Sequence, residues 1–561
     1  MSITDSPIDL PAFNPVLAAR YRREGLWGER TVGDELRHSA GLHAPRTALI
    51  TPTVRLTYRE LDELTDAFAA GLLAATLLRP GDRLMFSAGN IAETVVVYYG
   101  AVKAGVVPVC TLPMHGHREI GLLAAHTAAT GHVVQADYPG QDLPALAAHV
   151  GLDTVIALRG DIDGAIGYDD ILVAGAAPEA RATLAEVEID PDGVVVFQLS
   201  GGTTGLPKVA PRRHREYIYN AAAYVGALGI GPESVALHVL PIMHNAGIVA
   251  AMHPAFQAGA AFVLGPTAHP ASVFELIAGE AVTTIPVIPP AVVIRLLDHA
   301  AATGTDLRGV EHMFVGGQKI PLEVAVRIEP ELRTPCEQMF GMAEGMFFAT
   351  PPEAPAWIRQ RTVGSPLSPA DEVRILEVDA EHEVADGELG ELACRGPYTI
   401  PGYYRAPEHN AAAFTSDGFY RTGDLGMRHV VDGCAYYSIE GRIKDVINRG
   451  AEKIHAEEVE EIIVRHPGVR TAALVAMPDA LLGERGCVFL VLEPGVEPLT
   501  VADLGEFLRG QGLARYKWPE RVETVEELPL TNVGKVSKKD LRARLTAPAT
   551  PIGTGAAAVA R

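Results

Sequence analysis

The sequence predicts an α/β protein in which parallel sheets are covered by helices. Short apolar segments with strand character alternate with segments of helical periodicity, from the strand predicted at 83–87 to the strand at 283–287. Consecutive parallel strands need a crossover connection, and such alternation supplies a helix for each one. After about residue 365 the pattern changes to short strands separated by turns, which is typical of a β-rich subdomain.

The predicted elements follow in chain order. Thr57 and Glu60 form a capping-box pattern ahead of a helix with apolar residues at helical spacing. Further strands are predicted at 106–110, 132–135, 154–158, 194–199, 235–240 and 261–264, and helices at 93–104, 213–228, 247–257 and 271–279. The β-rich part has strands at 372–377, 390–395 and 436–439; the last section has helices at 456–466, 501–510 and 537–545 and strands at 471–477 and 488–492.

The length of 561 residues exceeds what one hydrophobic core supports, so at least two domains are expected. We expect an N-terminal domain over residues 1–442, with its β-rich subdomain at about 365–442, and a C-terminal domain over 443–546. The Ala-, Pro- and Gly-rich tail at 547–561 is expected to be disordered.

Charge and cysteine content exclude several classes of protein. With 47 basic and 69 acidic residues the net charge is −22, which argues against a nucleic-acid binder and against an anionic membrane surface as partner. The five cysteines are dispersed, as in proteins with reduced thiols. We see neither a signal-peptide pattern nor 18 uninterrupted apolar residues, so a cytoplasmic protein is expected.

One Gly- and Thr-rich stretch follows the strand predicted at 194–199. It reads Ser200-Gly201-Gly202-Thr203-Thr204-Gly205-Leu206-Pro207-Lys208. The glycines let backbone N–H groups converge on phosphate oxygens, while the hydroxyls and Lys208 add further donors. It is not a Walker A loop, because the lysine does not directly follow the last glycine. By itself the stretch is either an ordinary turn or a phosphate loop.

Two more motifs lie just past predicted strand ends, where open α/β sheets bind ligands. His244 and Asn245 place an imidazole and an amide there, and Gly316 and Gly317 offer bare backbone on which a flat ligand can lie. Seen alone, the first motif also fits a capping or core pair, and the second fits a turn.

Charged residues mark four further positions. Glu344 puts one carboxylate into the apolar stretch 338–345, as a magnesium ion on ATP phosphates requires. Asp424 can accept from both hydroxyls of a ribose, and Arg442 can donate to ribose or phosphate. Lys535 stands on a Gly-containing loop. Seen alone, Glu344 also fits a carboxylate at a helix N-terminus. Asp424 and Arg442 also fit surface ion pairs, and Lys535 also fits a solvated lysine.

In this order and spacing, the motifs resemble those of the acyl-adenylating enzyme superfamily, which includes acyl-CoA synthetases, adenylation domains of nonribosomal peptide synthetases and firefly luciferase. The resemblance runs from about Phe13 to Leu545 and is strongest to stand-alone 2,3-dihydroxybenzoate- and salicylate-AMP ligases. The supporting stretches are 21–27, 396–404, 447–453 and 534–539.

The resemblance implies a large domain of two helix-covered sheets with a β-rich subdomain, and a small mobile α+β C-terminal domain. It implies ATP and Mg²⁺ as cofactors, an aromatic carboxylic acid as substrate and an aryl carrier protein as partner, in siderophore or antibiotic biosynthesis. By this resemblance the 200–208 loop holds phosphates, Glu344 binds magnesium, Asp424 and Arg442 hold ribose, and Lys535 bridges the attacking carboxylate and the leaving phosphate. The remaining implied positions are Gly316, Gly317, Met339, Phe340 and Gly341 for the adenine slot, His244 at the catalytic centre and Lys444 at the hinge.

The substrate pocket departs from the aryl-acid pattern. Ala246 replaces a large aromatic residue, Ala250 replaces a serine or cysteine that contacts a 2-hydroxyl group, and Phe347 replaces a small aliphatic residue. Asn245 is retained, and Gly317 lines the same pocket. Because buried hydrogen-bonding groups discriminate strongly, these changes predict an aromatic acid other than 2,3-dihydroxybenzoate, such as a substituted benzoate or a heteroaryl acid.

Two alternatives remain open at this point. An aryl-CoA ligase shares the first step and uses free coenzyme A as acceptor. A non-catalytic nucleotide-binding homologue is disfavoured because the charged positions of the family are retained, namely Lys208, Glu344, Asp424, Arg442 and Lys535.

Overall fold

The computed structural model describes residues 10–200, 207–449, 452–479, 482–511, 513–531 and 535–546. Residues Gly201 to Leu206 of the predicted phosphate loop and the predicted tail at 547–561 lie outside these ranges. The chain divides into two compact units. The first is Met1–Glu440 with Asn532–Lys535, and the second is Gly441–Thr531 with Val536–Arg561.

The strands up to residue 442 are, in chain order, β1 (Thr47–Ile50), β2 (Arg55–Thr57), β3 (Arg83–Ser87), β4 (Val107–Val109), β5 (Gly131–Gln135), β6 (Thr154–Leu158), β7 (Ile166–Gly167), β8 (Val194–Ser200), β9 (Lys208–Arg213), β10 (Val235–His238), β11 (Ala261–Leu264), β12 (Thr284–Ile288), β13 (His312–Gly316), β14 (Glu337–Gly341), β15 (Phe347–Ala349), β16 (Ser365–Pro366), β17 (Glu372–Leu376), β18 (Gly390–Arg395), β19 (Tyr420–Val431) and β20 (Cys434–Arg442).

The α-helices of the first unit are α1 (Pro15–Arg23), α2 (Val32–His43), α3 (Tyr58–Ala75), α4 (Ala92–Lys103), α5 (His117–Thr127), α6 (Leu143–Val150), α7 (Tyr168–Gly175), α8 (Pro178–Ala185), α9 (His214–Leu228), α10 (His253–Gln257), α11 (Pro270–Glu280), α12 (Pro290–Thr303), α13 (Leu322–Arg327), α14 (Ala356–Arg361) and α15 (Pro407–Ala412). Two π-helices accompany them, at Ala246–Met252 and Ile328–Leu332.

These strands form three sheets. Sheet A has the order β16-β15-β14-β13-β12-β10-β11-β1-β2, sheet B has the order β7-β6-β5-β3-β4-β8-β9, and sheet C has the order β17-β18-β19-β20. The interior pairs of sheets A and B are parallel, and antiparallel pairs occur at their edges, such as β14 with β15 and β8 with β9. The predicted α/β class with two helix-covered sheets and a β-rich subdomain is confirmed.

Local sequence explains where the helices begin. At the start of α3, Thr57 Oγ1 accepts from the Glu60 backbone N–H at 3.2 Å and the Glu60 carboxylate accepts from the Thr57 N–H at 2.8 Å, so the predicted capping box is confirmed. The helix then buries Leu61, Phe68 and Leu72 in the core.

The helix predicted over 247–257 is instead a π-helix followed by the short α10. The cause is Pro254, which lacks a backbone N–H and cannot continue an α-helical ladder. The N–H of His253 donates to the carbonyl of Ile248, five residues back, as a π-helix requires.

The second unit contains β21 (Ile447–Arg449), β22 (Glu452–Ile454), β23 (Val469–Asp479), β24 (Gly483–Leu492) and β25 (Arg521–Thr524), with α16 (Ala456–Ile463), α17 (Val501–Gly510) and α18 (Lys538–Thr546). Sheet D has the order β22-β21-β24-β23, and β25 pairs with β24. Its core combines α16 and α17 residues such as Val459, Ile463 and Leu508 with strand residues such as Leu490. Within the described ranges, no helix is both long enough and apolar enough to cross a membrane.

Five histidines with lowered pKa values make the stability of the first unit depend on pH. Burial lowers the pKa of His132, His214 and His238 from 6.5 to about 4 and lowers the pKa of His244 and His253 to about 3. Each stabilises the fold above pH 6.5, and that stabilisation is lost as the pH falls through 6.5 toward 4, because only the unfolded chain takes up the proton. Asp371 acts in the opposite direction, because burial raises the pKa of this carboxyl to about 7.

We therefore expect the free energy of unfolding to fall by about 4 kcal/mol between pH 6.5 and 5.5. Each histidine contributes about 1 kcal/mol to this fall, because it is half protonated in the unfolded chain at pH 6.5, and Asp371 offsets about 1 kcal/mol. Urea titrations at the two pH values measure it. In His253→Phe, which keeps a ring within its aromatic cluster, the fall in the free energy of unfolding between the two pH values should be smaller by about 1 kcal/mol. A stability that is flat from pH 7.5 to 5.5 contradicts the expectation.

Candidate active site

The hairpin of β8 and β9 carries both ends of the predicted phosphate loop. Ser200 and Lys208 are directly paired across it. Lys208 Nζ lies 2.9 Å from Nε2 of His409 and 4.6 Å from the ring centroid of Tyr403. Burial, and then the charge of Lys208, lowers the pKa of His409, so its imidazole is neutral and accepts from the lysine. The two contacts fix the ammonium group at the end of the loop.

Glu344 is the centre of a buried polar cluster in the first unit. Its side chain is buried, and its Oε1 accepts hydrogen bonds from Ser200 Oγ and from the Tyr403 hydroxyl, the latter at 2.5 Å. The Tyr403 and Tyr420 hydroxyls lie 2.7 Å apart. Burial, followed by the charge of Glu344, raises the pKa of Tyr403. This phenol therefore stays protonated and donates a hydrogen bond to Glu344. The bond from Ser200 joins sheet B to the turn that follows β14 of sheet A.

The turn that carries Glu344 depends on Gly345. This glycine has φ +79°, and a Cβ on it would overlap the carbonyl oxygen of Tyr398. Only glycine fits this conformation and this close approach. The peptide between Ala343 and Glu344 is held by a residue from another segment, because Arg212 Nη1 donates to the Ala343 carbonyl at 2.9 Å.

Bare backbone stands where sheet A ends. A Cβ on Gly316, the last residue of β13, would lie 2.8 Å from the Met339 carbonyl oxygen of β14. Gly317 has φ +90°, and a Cβ on it would lie 3.4 Å from Cε of Lys535, which groups with the first unit. Met339 is buried, whereas Phe340 and Gly341 are half-buried. The structure therefore brings Gly317 and Lys535 together.

His244 and Asn245 lie between β10 and the first π-helix. Burial, and then the positive charge of Lys535, lowers the pKa of His244 to about 3, so this imidazole is neutral at pH 7. Asn245 is buried, and its Oδ1 accepts from the Tyr217 hydroxyl at 3.2 Å. Tyr217 in turn accepts from Gln198 Nε2 at 3.1 Å. This chain fixes the orientation of the Asn245 amide.

The remaining residues of the predicted substrate pocket are apolar. Ala250 lies fully buried on the first π-helix, and Ala246 at its start is half-buried. Phe347 is 3 % exposed, and a Cβ on Gly341 would overlap its ring. The ring of Tyr224 meets Phe347 edge-on at 5.0 Å between centroids. Phe347 therefore occupies a place that exists because residue 341 has no side chain.

Asp424, Arg442 and Lys444 fall in different environments. Asp424 is 4 % exposed within β19 rather than on a flanking segment, and with Glu344 it helps raise the pKa of the buried Cys394 thiol, for which burial is the largest cause. Arg442 ends β20, and Lys444 lies in the 3-10 helix Ile443–Asp445. Both are exposed residues of the second unit.

Sequence reasoning missed three residues of this site: Arg212, Tyr217 and Tyr403. The stretch 396–404 contains Tyr403 and carries the family resemblance, but nothing near it in the sequence points to Glu344. The Arg-x-x-x-Glu spacing of Arg212 and Glu216 was a visible sign of an ion pair. Within the described ranges, no group of three or more His, Cys, Asp or Glu side chains could hold a metal ion.

Comparison with known proteins adds to this geometry. Residues 36–404 match the AMP-binding enzyme family, and residues 458–535 match the AMP-binding enzyme C-terminal domain. The chain is 40 % identical to the 2,3-dihydroxybenzoate-AMP ligase of Bacillus subtilis over 94 % of this chain and 96 % of the relative. It is 40 % identical to a salicylyl-CoA synthase / salicylate adenylyltransferase of a Streptomyces species, over 94 % of this chain and 95 % of the relative. The apo structure of Mycobacterium smegmatis MbtA aligns with a TM-score of 0.72 at 33 % identity, over 96 % of this chain and 100 % of the other.

The Glu344 turn generates a prediction. Gly345→Ala places a Cβ against the Tyr398 carbonyl in a left-handed backbone, so we expect the free energy of unfolding to fall by about 3 kcal/mol or more. Urea denaturation measures the change. The matched control is Gly279→Ala in α11, where a Cβ meets nothing within 4 Å, and this variant should be as stable as the wild type or slightly more so. Equal stability of the two variants contradicts the assigned role of Gly345.

Proposed function

The chain belongs to the AMP-binding enzyme family, and from this premise we propose that it activates an aromatic carboxylic acid as the acyl-AMP. The acyl group is then transferred to the phosphopantetheine thiol of a carrier protein in the assembly of a siderophore or antibiotic. The observation that carries the proposal is near full-length identity of 40 % to relatives whose names give 2,3-dihydroxybenzoate or salicylate. Asn245, a buried amide at the strand ends of sheet A, supports it.

The reaction converts an unreactive carboxylate into a reactive acyl-AMP and then into a thioester. A carboxylate oxygen of the acid attacks the α-phosphorus of ATP, the bond to the β-phosphate breaks, and pyrophosphate leaves. The thiol sulfur then attacks the acyl carbon, the thioester forms, AMP leaves, and the thiol proton passes to solvent. Because two anions must meet in the first step, catalysis depends on positioning and on positive charge rather than on a covalent nucleophile.

The residues divide between these tasks. We assign the phosphates of ATP to Lys208 and to the stretch Ser200, Gly201, Gly202, Thr203, Thr204 and Gly205. Lys535 contacts the Gly317 region and is assigned to the charge that develops between carboxylate and phosphate. His244 is neutral at pH 7, so it can donate a hydrogen bond without adding a second positive charge beside Lys535.

Glu344 fits a magnesium ion. Magnesium binds proteins through one or two carboxylates and completes its octahedron with substrate phosphates and water, and Glu344 is a single buried carboxylate beside the phosphate hairpin. When bound, the ion would neutralise phosphate charge. Ser200 and Tyr403 hold the carboxylate in place through Oε1.

The nucleoside positions are assigned on the family resemblance and their place in the fold. We assign the adenine to the bare backbone and apolar surface at the ends of β13 and β14, and the ribose to Asp424 and Arg442. Lys444 is assigned to the hinge about which the C-terminal domain rotates between the two half-reactions. The adenine residues are Gly316, Gly317, Met339, Phe340 and Gly341.

The pocket favours an acid other than 2,3-dihydroxybenzoate. Asn245 offers an oriented amide to one ortho hydroxyl or amino group, whereas Ala250 offers no hydroxyl to a second one. Ala246 leaves room on one side, and Phe347 takes room on the other. We infer a hydroxy-, amino- or methyl-substituted benzoate or a heteroaryl acid. The name of the Streptomyces relative gives both a coenzyme A thioester and an adenylate, so an aryl-CoA ligase is the second candidate.

ATP–pyrophosphate exchange over a panel of aromatic acids tests the proposal. We expect the highest kcat/KM for a benzoate or heteroaryl acid with one ortho hydroxyl or amino group, exceeding 2,3-dihydroxybenzoate by about tenfold or more, since an unmet buried polar group is costly. A single-turnover assay of the adenylate with a holo carrier protein and with coenzyme A separates the two candidate functions.

The control for this assay is Lys535→Ala. It should abolish exchange with every acid while leaving ATP binding, followed by calorimetry, largely unchanged. A clear preference for 2,3-dihydroxybenzoate would contradict the inferred pocket. A preference for a fatty acid, or ATP binding by the wild type without exchange, would contradict the function itself.

A further inference from the structure

Arg212 is a buried guanidinium group whose bonds reach three separate segments of the first unit. It lies at 0 % side-chain exposure in β9, four residues after the phosphate-loop lysine. Its Nε and Nη2 donate to the two carboxylate oxygens of Glu216, at 2.9 and 2.6 Å. The paired Glu216 is equally buried, at 1 %. Nη2 also lies 3.5 Å from Oδ1 of Asn220 on α9, and further N–H groups remain for segments outside this helix.

Those remaining donors hold the segment around Glu344. Nη1 donates to the Ala343 carbonyl at 2.9 Å, and Nη2 donates to the Tyr398 carbonyl at 3.0 Å. The same Tyr398 carbonyl is the atom that a side chain at Gly345 would overlap. One side chain therefore fixes both walls between which the Glu344 turn lies.

One face of the Arg212 guanidinium group packs on Tyr217, which contacts Asn245 of the proposed aryl-acid pocket. Arg212 Cζ lies 4.8 Å from the ring centroid of Tyr217, within the range of a cation–π interaction. The hydroxyl of that ring orients the amide of Asn245. Two side chains thus connect the acid-binding amide to the strand that carries Lys208.

We propose that Arg212 is a positioning residue that sets Glu344 for the metal–phosphate complex and Asn245 for the aromatic acid at the same time. The inference rests on the proposed function, since it assigns both ends of this contact network to substrates. A buried ion pair is a poor source of stability compared with apolar packing, so a forked cation at this place is better explained by the geometry it imposes. Burial lowers the pKa of Arg212, but Glu216 and, less strongly, Glu344 raise it, and the net shift is upward; the group stays charged.

The test compares two charge-conserving substitutions in pyrophosphate exchange. Arg212→Lys keeps a cation for Glu216 but cannot reach Glu216, Ala343 and Tyr398 together, because an ammonium lacks the planar fork. We expect kcat to fall by about ten- to a hundredfold, with a several-fold rise in both the Mg²⁺ concentration at half-maximal rate and the KM for the acid, as small misplacements near reacting groups do.

The matched control is Lys103→Arg. Lys103 is also a fully buried cation in the first unit and is paired with Asp62 and Asp66 at 2.5 and 2.8 Å, but it lies at the end of α4. This variant should leave the Mg²⁺ dependence and the KM for the acid unchanged even if its thermal midpoint falls.

Tyr217→Phe separates the two arms and keeps the proposal testable if Arg212→Lys does not fold. It keeps the ring that contacts Arg212 and removes the hydroxyl that bonds to the Asn245 amide and to Gln198. The KM for the acid should therefore rise by about five- to tenfold while the Mg²⁺ dependence stays at the wild-type value. If both Arg212→Lys and Tyr217→Phe have wild-type kinetics, the positioning role of Arg212 is overturned while the proposed function stands. Absence of exchange with any aromatic acid in the wild type overturns the proposed function and this inference with it.

Discussion

The constraint on which the site depends is the burial of a carboxylate and a guanidinium group in one region of low dielectric. Glu344 and the Arg212–Glu216 pair are all buried, and a buried charge is tolerated only when hydrogen bonds satisfy it. Hydroxyls from Ser200 and Tyr403 do this for Glu344, while backbone carbonyls and Glu216 do it for Arg212. Each satisfied bond ties one more segment to the others, so the charges and the shape of the site determine one another.

Sheet topology explains why these groups meet. Strands β10, β12, β13 and β14 run parallel in sheet A, so the residues that follow them emerge at one edge. His244, Gly317 and Glu344 each follow such a strand, at the place where open α/β sheets bind ligands. Sheet B contributes the β8–β9 hairpin from the other side, and the bond between Ser200 and Glu344 closes the gap between the two sheets.

Sequence reasoning predicted what local patterns determine and missed what distant contacts determine. Strand β6 and helix α9 belong to the predicted alternation of strands and helices and lie within one residue of the predicted ranges. The sequence also indicated the role of Gly316 and Gly317, because few other residues suit a strand end with a positive φ and a close backbone approach. Tyr403 and Arg212 carried no such signal, since their partners Glu344 and Ala343 are 59 and 131 residues away along the chain. The π-helix at 246–252 arises from Pro254 and interrupts an otherwise helical pattern.

The assigned positions of the acid and the nucleoside are tested by a crystal structure with a non-hydrolysable aryl-sulfamoyl adenosine analogue of the best substrate. We expect the aryl ring between the Gly316–Gly317 backbone and Phe347, with its ortho substituent on the Asn245 amide. The adenine of the analogue should lie against Met339 and Phe340. An aryl ring bound elsewhere in the first unit, with the Asn245 amide still bonded to Tyr217 and to the Met342 carbonyl and to no ligand atom, would contradict these assignments.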